Sequence, residues 1–315
     1  MNHFLNATRD LFRSVGIETD VEVLRQKFLN CYDELETGNV PLAAVVASTF
    51  EGLDGSNHLI SLFHRSAAEI ARRVDLGEDG TASNAYHNTL HYCKVVINFR
   101  SLAALHNALY PNDRISDEKI AQGILDATAH DLRHNGCGNM VDGIHQQFRL
   151  EQLAIDTAID WSAPKDEGEK DILLHALSPI YATDISSDGT SMSPAQFVRT
   201  LYDALHAPSS ELVTTPYSEH LRRELSTRED VIVASLLQDA DVLASLLDEK
   251  AHRREYGRVG MEIQNVTGKP PSSTSGLWFL DIMLQGRATT DVARRLTDTI
   301  IARQIERYRA ALNPA

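Results

Sequence analysis

Apolar residues recur along this chain at spacings of three and four, as in Leu24, Phe28 and Leu35, in Leu59, Phe63, Ala67 and Ile70, and in Val231, Ala234 and Leu237. That period stacks them on one face of a helix, whereas a strand requires strict alternation, which is nearly absent. An all-α fold is therefore expected. Start signals agree with the period: Ser116-Asp117-Glu118 supplies a cap and first-turn acids, Ser193-Pro194 opens a helix, and Thr227-Arg228-Glu229-Asp230 reads as a capping box. Breakers fall between the helices, at Gly77 to Gly80, Pro111-Asn112-Asp113, Asp184 to Ser193, Pro208-Ser209-Ser210 and Gly268 to Ser273. No internal repeat is visible. Residues 1–75 carry no chemical motif and are expected to form a helical subdomain packed against a catalytic domain of residues 76–315.

With 315 residues, 43% of them hydrophobic and 23% charged, the chain suits a soluble protein with a deep core. Lys+Arg 30 against Asp+Glu 44 gives a net charge of −14, which opposes broad binding to nucleic acid or to an anionic membrane. A phosphate ester bound by such a chain would need bound cations to supply the positive field. Cys31, Cys93 and Cys137 make no disulfide framework and fit a reducing cytoplasm. The N-terminal residues lack a basic stretch leading into an apolar run, and no apolar run reaches the length of a membrane span.

Two short windows hold four of the thirteen histidines: Tyr86-His87-Asn88-Thr89-Leu90-His91, then His130-Asp131-Leu132-Arg133-His134-Asn135-Gly136-Cys137-Gly138-Asn139. An adjacent His-Asp pair offers one nitrogen and one carboxylate to a single divalent ion, a mixed set that suits zinc, iron or manganese better than calcium. On a helix, His87 and His91 share a face one turn apart. His130-Asp131 follows an apolar helix and precedes a Gly-rich stretch, a place where ligands rest on a rigid support. Asp241 lies within an apolar helix, where a carboxylate is costly to bury unless a cation compensates it. Either Asp239 or Asp241 could instead lie on a solvated face, and Asp241 is the one read as a ligand.

The pattern YHNxxH followed by HDxxHxGxxN resembles the catalytic domain of the class I cyclic nucleotide phosphodiesterases, a branch of the HD-domain metal phosphohydrolases. Tyr181 to Ser186, Ala240-Asp241-Val242, Gly260-Met261-Glu262-Ile263 and Phe279-Leu280-Asp281 are similar to later segments of that family, in the same order. The resemblance implies an all-α domain with a metal site between helices. His91, His130, Asp131 and Asp241 would hold a first ion, zinc, with Asp131 bridging to a second, exchangeable magnesium or manganese, the two ions sharing the hydroxide that attacks phosphorus. His87 falls on the general acid that protonates the departing ribose oxygen. His134 is placed beside the water network, Glu151 matches a supporting carboxylate less well, and Asn139 would hold the loop. The implied activity is hydrolysis of a 3′,5′-cyclic nucleotide to its 5′-monophosphate. The expected partners are a small phosphodiester and, at most, a second copy of the chain in a homodimer.

The resemblance is incomplete around the substrate base. Tyr86, Asn139, Phe279 and Gln285 are the candidate substrate contacts, with Phe279 either stacking on a base or belonging to the core. Gly276 stands where the family carries a base-reading glutamine, and Gln264 and Gln285 are the candidates to replace it. Gln238 stands where a histidine is usual. Two other readings stay open: another HD-domain activity, either hydrolysis of a different phosphate ester or di-iron oxygenation that recruits His175 or His206, and a non-catalytic domain that binds a nucleotide or a protein.

Overall fold

Side-chain caps decide where many of the helices begin. The computed structural model describes residues 2–136, 138–142, 144–186, 192–206, 218–272 and 274–312. In chain order the helices are α1 (Asn2–Ser14), α2 (Val21–Gly38), α3 (Leu42–Thr49), α4 (His58–Asp75), α5 (Thr89–Leu109), α6 (Asp117–Ala129), α7 (Arg149–Ser162), α8 (Glu167–Ala176), α9 (Pro194–His206), α10 (Ser218–Glu224), α11 (Arg228–Leu243), α12 (Glu249–Thr267), α13 (Ser275–Leu277) and α14 (Asp291–Leu312). Asp20, Asn57, Ser116, Asp166 and Asp248 each accept backbone N–H groups at the first turn of the helix that follows. Thr227 and Asp230 form the expected capping box on α11, and Ser193 and Gln196 form a similar reciprocal pair on α9. Gly77, Gly80 and Gly268 take left-handed φ at the expected breaks. Pro208-Ser209-Ser210, Ser273 and residues 187–191 lie outside the described residues.

The fold is all-α, with one addition that the periodicity did not foresee. Met140–Val141 and Ile144–His145 pair antiparallel as β1 and β2, a two-rung hairpin directly after the second histidine window.

Among the described residues, one continuous apolar cluster runs from Phe4 and Leu11 in α1 to Leu296 in α14. At its centre stand α5, α6 and α11, buried around most of their circumference. The approach of α5 to α6 is close enough to require glycine: a Cβ on Gly123 would lie 1.9 Å from the Phe99 ring. A smaller cluster gathers Val242, Leu246, Leu280, Leu284, Ile301 and Ile305, with Leu277, Phe279 and Tyr308 packed on it. No helix among the described residues is long and apolar enough to cross a membrane.

Candidate metal centre and its histidine–glutamate neighbour

The start of α5 is fixed by Asn88. Its backbone is extended (φ −140°), its Oδ1 accepts the N–H groups of Leu90 (3.0 Å) and His91 (3.4 Å), and its amide donates to the carbonyls of Asn84 (2.9 Å) and Ala85 (3.2 Å). His91 therefore sits in the first helical turn, and its side chain is buried. His87 does not share that helix. It lies in the bend before the cap, so the expected helical pairing with His91 is corrected: the cap at Asn88 starts the helix at Thr89, two positions after His87. Their rings still meet edge to face, with centroids 5.7 Å apart.

His130 closes α6. Its Nδ1–H donates to the Ala127 carbonyl at 3.0 Å, which fixes the tautomer and turns the Nε2 lone pair inward. Asp131 follows directly, and Asp241 comes from the last turns of α11. The facing atoms of His91, His130, Asp131 and Asp241 all lie within 4.8 Å of one another. His91 Nε2 stands 3.1 Å from Asp131 Oδ2, 3.1 Å from Asp241 Oδ1 and 3.3 Å from His130 Nε2; His130 Nε2 stands 3.1 Å from Asp131 and 3.7 Å from Asp241.

These atoms fit a cation. Ligands about 2.0–2.2 Å from one zinc ion would stand about 2.8–3.6 Å apart around a tetrahedron or octahedron, close to the separations observed. Asp131 Oδ2 is buried without a hydrogen-bond partner although two imidazole nitrogens are near it, as expected of an atom aimed at an ion. Without one, the group is under electrostatic stress. Burial disfavours the cationic imidazole of His130, yet the charges of Asp131 and Asp241 push it up to about 10. Burial would likewise raise both carboxyls, yet the imidazoles hold Asp131 and Asp241 well below the usual carboxylate range.

A second cluster, His87, His134 and Glu262, adjoins the first. Glu262 Oε2 accepts the backbone N–H of Tyr86 (2.8 Å) and of His87 (3.0 Å), and its Oε1 accepts from His87 Nδ1. With three N–H groups on one carboxylate, this is a hydrogen-bonded seat rather than a ligand set. Burial opposes the charge on Glu262, but these donors hold its carboxyl below its ordinary value. The His134 ring stacks on that of His87 at 3.6 Å, and its Nδ1 accepts the Gly136 N–H at 3.1 Å. Burial and the neighbouring His87 push His134 down to about 4. It is therefore a neutral platform under His87. Tyr86 lies against both windows, its ring 4.5 Å from His91 and 4.9 Å from His87. In the sequence Glu262 belongs to a segment similar to the family's, and nothing local marks it as the seat of His87.

Glu151 and Asn139 stand together in a separate polar network. Asn139, in the second window, donates to Glu151 Oε2 (2.9 Å) and accepts the Leu150 N–H (2.8 Å), tying the hairpin to α7. Ser186 bonds His145 Nε2 (2.7 Å) and the Asp184 carboxylate. Burial first, then the nearby Asp184 charge, raises Glu151 to about 8. Phe279 is half-buried on the smaller apolar cluster, which includes Val242, the neighbour of Asp241. Gln285 and Gln264 are exposed. A Cβ on Gly276 would lie 2.4 Å from the Tyr308 hydroxyl, so the place of the expected glutamine is filled by Tyr308 from α14. Asp239 points away from the cluster and accepts the N–H groups of Thr289 and Thr290, both at 2.7 Å, at the start of α14. His175 and His206 are exposed, and neither they nor His145 and His220 enter either cluster.

No protein-family model and no curated protein sequence matches the chain. Solved structures do. The phosphodiesterase domain of the RhoPDE fusion protein from the choanoflagellate Salpingoeca rosetta superposes with a TM-score of 0.58 at 16% identity, covering 85% of this chain and 90% of its own. LmjPDEB1, solved in complex with IBMX, gives 0.60 at 13% identity and 97% coverage of both chains. The phosphodiesterase domain of Salpingoeca rosetta rhodopsin phosphodiesterase gives 0.59 at 18% identity, covering 94% and 97%. The chain thus has the all-α fold of phosphodiesterase catalytic domains.

Proposed function

We propose that the chain is a metal-dependent hydrolase of a small phosphodiester, with a 3′,5′-cyclic nucleotide as the leading substrate and its 5′-monophosphate as product. The observation that carries this reading is the pairing of a four-ligand cluster with a histidine whose tautomer is set by a buried carboxylate within ring contact of the cluster. His91, His130, Asp131 and Asp241 would hold a tight ion, zinc by its donor set, and Asp131 would share a second, exchangeable magnesium or manganese. When bound, such ions draw charge from the phosphoryl oxygens and supply a nucleophile at neutral pH.

The remaining roles belong to side chains. Glu262 accepts the Nδ1–H of His87 and offsets the charge of its imidazolium, the form in which Nε2 carries the proton given up to the leaving oxygen. His134, neutral and stacked, keeps that ring flat without adding positive charge. Asn139 and Glu151 hold the hairpin beside the second window. A non-catalytic domain would have no use for an acid seated so closely. The di-iron alternative loses its distinguishing feature, since His175 and His206 stand outside the cluster.

The test is His87→Ala. Turnover of a cyclic nucleotide should fall by roughly 10² to 10⁴, the usual contribution of a general acid, with metal content unchanged. Hydrolysis of bis(4-nitrophenyl) phosphate should fall much less, because nitrophenolate leaves with little protonation. Equal losses on both substrates would remove the acid role, and loss of metal would make His87 a ligand.

A further inference from the structure

Helix α12 is attached to the body of the protein in an unusual way. Over its 19 residues the buried positions are Ala251, His252, Glu255, Gly260 and Glu262, without one large apolar side chain. Of its larger apolar residues, Met261 and Val266 are exposed by 54% and 44%, and Tyr256, Val259 and Ile263 are only half-buried. A surface helix ordinarily docks through an apolar stripe. This one docks through charge.

The main attachment is a buried ion cluster. Lys94 on α5, 1% exposed, donates to Glu36 of α2 at 2.6 Å and to Glu255 of α12 at 2.7 Å. Arg258, one turn beyond Glu255, reaches Glu255 at 3.0 Å and Glu36 at 3.3 Å, and Arg254 reaches the same two carboxylates at 3.1 and 3.2 Å. Lys94 also lies over the Tyr32 ring at 5.4 Å. Glu255 and Glu262 are two turns apart on one face of α12. Lys94 and His91 are one turn apart on α5. The cluster therefore spans the two helices that must stay in register for Glu262 to seat His87 beside the metal ligands.

We propose that Lys94, Glu36 and Glu255 form an electrostatic latch that holds α12 against α5, and that they act as positioning residues for His87 through Glu262. The latch gives α12 a way of opening that the apolar helices lack. Charge pairs in a dry contact hold only while every partner is in place, and removing one leaves the others buried and unpaired. No reorganisation of the main core is needed for α12 to come away.

The test compares Glu255→Gln and Lys94→Met with the parent chain, using Glu36→Gln, at the more exposed end of the cluster, as the milder variant should either of those fail to fold. Native-state hydrogen exchange followed by mass spectrometry reads the latch directly. Amides of residues 249–267 should exchange about tenfold faster or more, while those of α5, α6 and α11 stay as they were. Unchanged exchange in α12, or an equal rise in α5, α6 and α11, would overturn the proposal. The second readout rests on the phosphodiesterase reading given above. Cyclic nucleotide turnover should fall about tenfold with bis(4-nitrophenyl) phosphate hydrolysis held within about twofold, the leaving-group signature of a displaced acid. Equal loss on both substrates would overturn the positioning role. The exchange experiment needs no substrate, so it separates failure of the latch from failure of the functional assignment.

Discussion

The candidate metal cluster and the His87–Glu262 pair lie side by side but are held by opposite means. His91, His130 and Asp241 project from α5, α6 and α11, whose other buried residues are mostly apolar and interlock as closely as Gly123 against Phe99. Glu262 projects from α12, whose buried contacts are ion pairs and hydrogen bonds. The first arrangement is stiff, because a packed core tolerates little displacement. The second is directional and can be undone one pair at a time. Under the proposed function, a site that keeps its ion while admitting and releasing a substrate would have reason to put its ligands on the first and its acid on the second.

The largest test of this contrast removes a ligand from the stiff side. Asp241→Ala should abolish tight metal binding, by elemental analysis, and lower turnover by about 10³-fold or more, since a metal supplies several kcal/mol of charge stabilisation. The protein should stay folded, because relief of a buried carboxylate offsets part of the lost contacts. Metal content equal to that of the parent chain would remove Asp241 from the ligand set.

Two glycines probe the packing of each side with the same substitution. Gly123→Ala should destabilise by about 1–3 kcal/mol, the cost of overpacking a core, because its methyl would enter the Phe99 ring. Gly257→Ala on α12 meets nothing within 4 Å and should stabilise by about 0.5–1 kcal/mol through helix propensity alone. Urea midpoints of the two variants would show it. A destabilised Gly257→Ala would mean that α12 packs more closely than its buried residues suggest.

Glu151 should give a pH signature in the polar network that lies outside both arrangements. The folded chain holds its proton to about 8 against an ordinary 4.5, so the stability it contributes is complete below pH 4.5 and is lost as the pH rises toward 8. In Glu151→Gln that loss should vanish, so the stability of the parent chain relative to the variant should decline across this window. A difference that does not change with pH would show that Glu151 is ionised in the fold.

The smallest expected effect concerns the base. Tyr308 fills the space beside Gly276 and is hydrogen-bonded to His252 at 2.9 Å, so no amide reads a purine edge there. Stacking tolerates any base, whereas a lost buried hydrogen bond costs about 1–3 kcal/mol, so kcat/KM for cyclic AMP and cyclic GMP should agree within about tenfold. A preference of several hundredfold would point to Gln264 or Gln285.

How much of this was legible in the sequence follows the same division. Helical period and cap chemistry are local, and they located α2, α4, α6, α9 and α11. The four residues of the candidate cluster were legible as candidates because each sits in or beside a short motif on a strongly periodic helix. Glu262 was not, since it meets His87 from 175 positions away and a single Glu on a polar helix looks like any solvated one. The bend that separates His87 from α5 was hidden by the HxxxH spacing itself, because that spacing is helical only if no cap intervenes. The hairpin was missed because two-residue strands carry no alternation to detect.

The Asn88 cap sets an angle as well as a boundary. Each residue of an α-helix advances the side-chain direction by about 100°, so one residue inserted between positions 88 and 91 would swing the imidazole of His91 about a quarter-turn or more off the cluster while leaving α5 intact as a helix. The bend before it is bound to the same clock, since the Asn88 amide is tied to the carbonyls of Asn84 and Ala85 and the backbone of Tyr86 and His87 is tied to Glu262. Between positions 84 and 91 the residue count acts as a gear ratio, converting a position in the chain into a compass bearing at the metal.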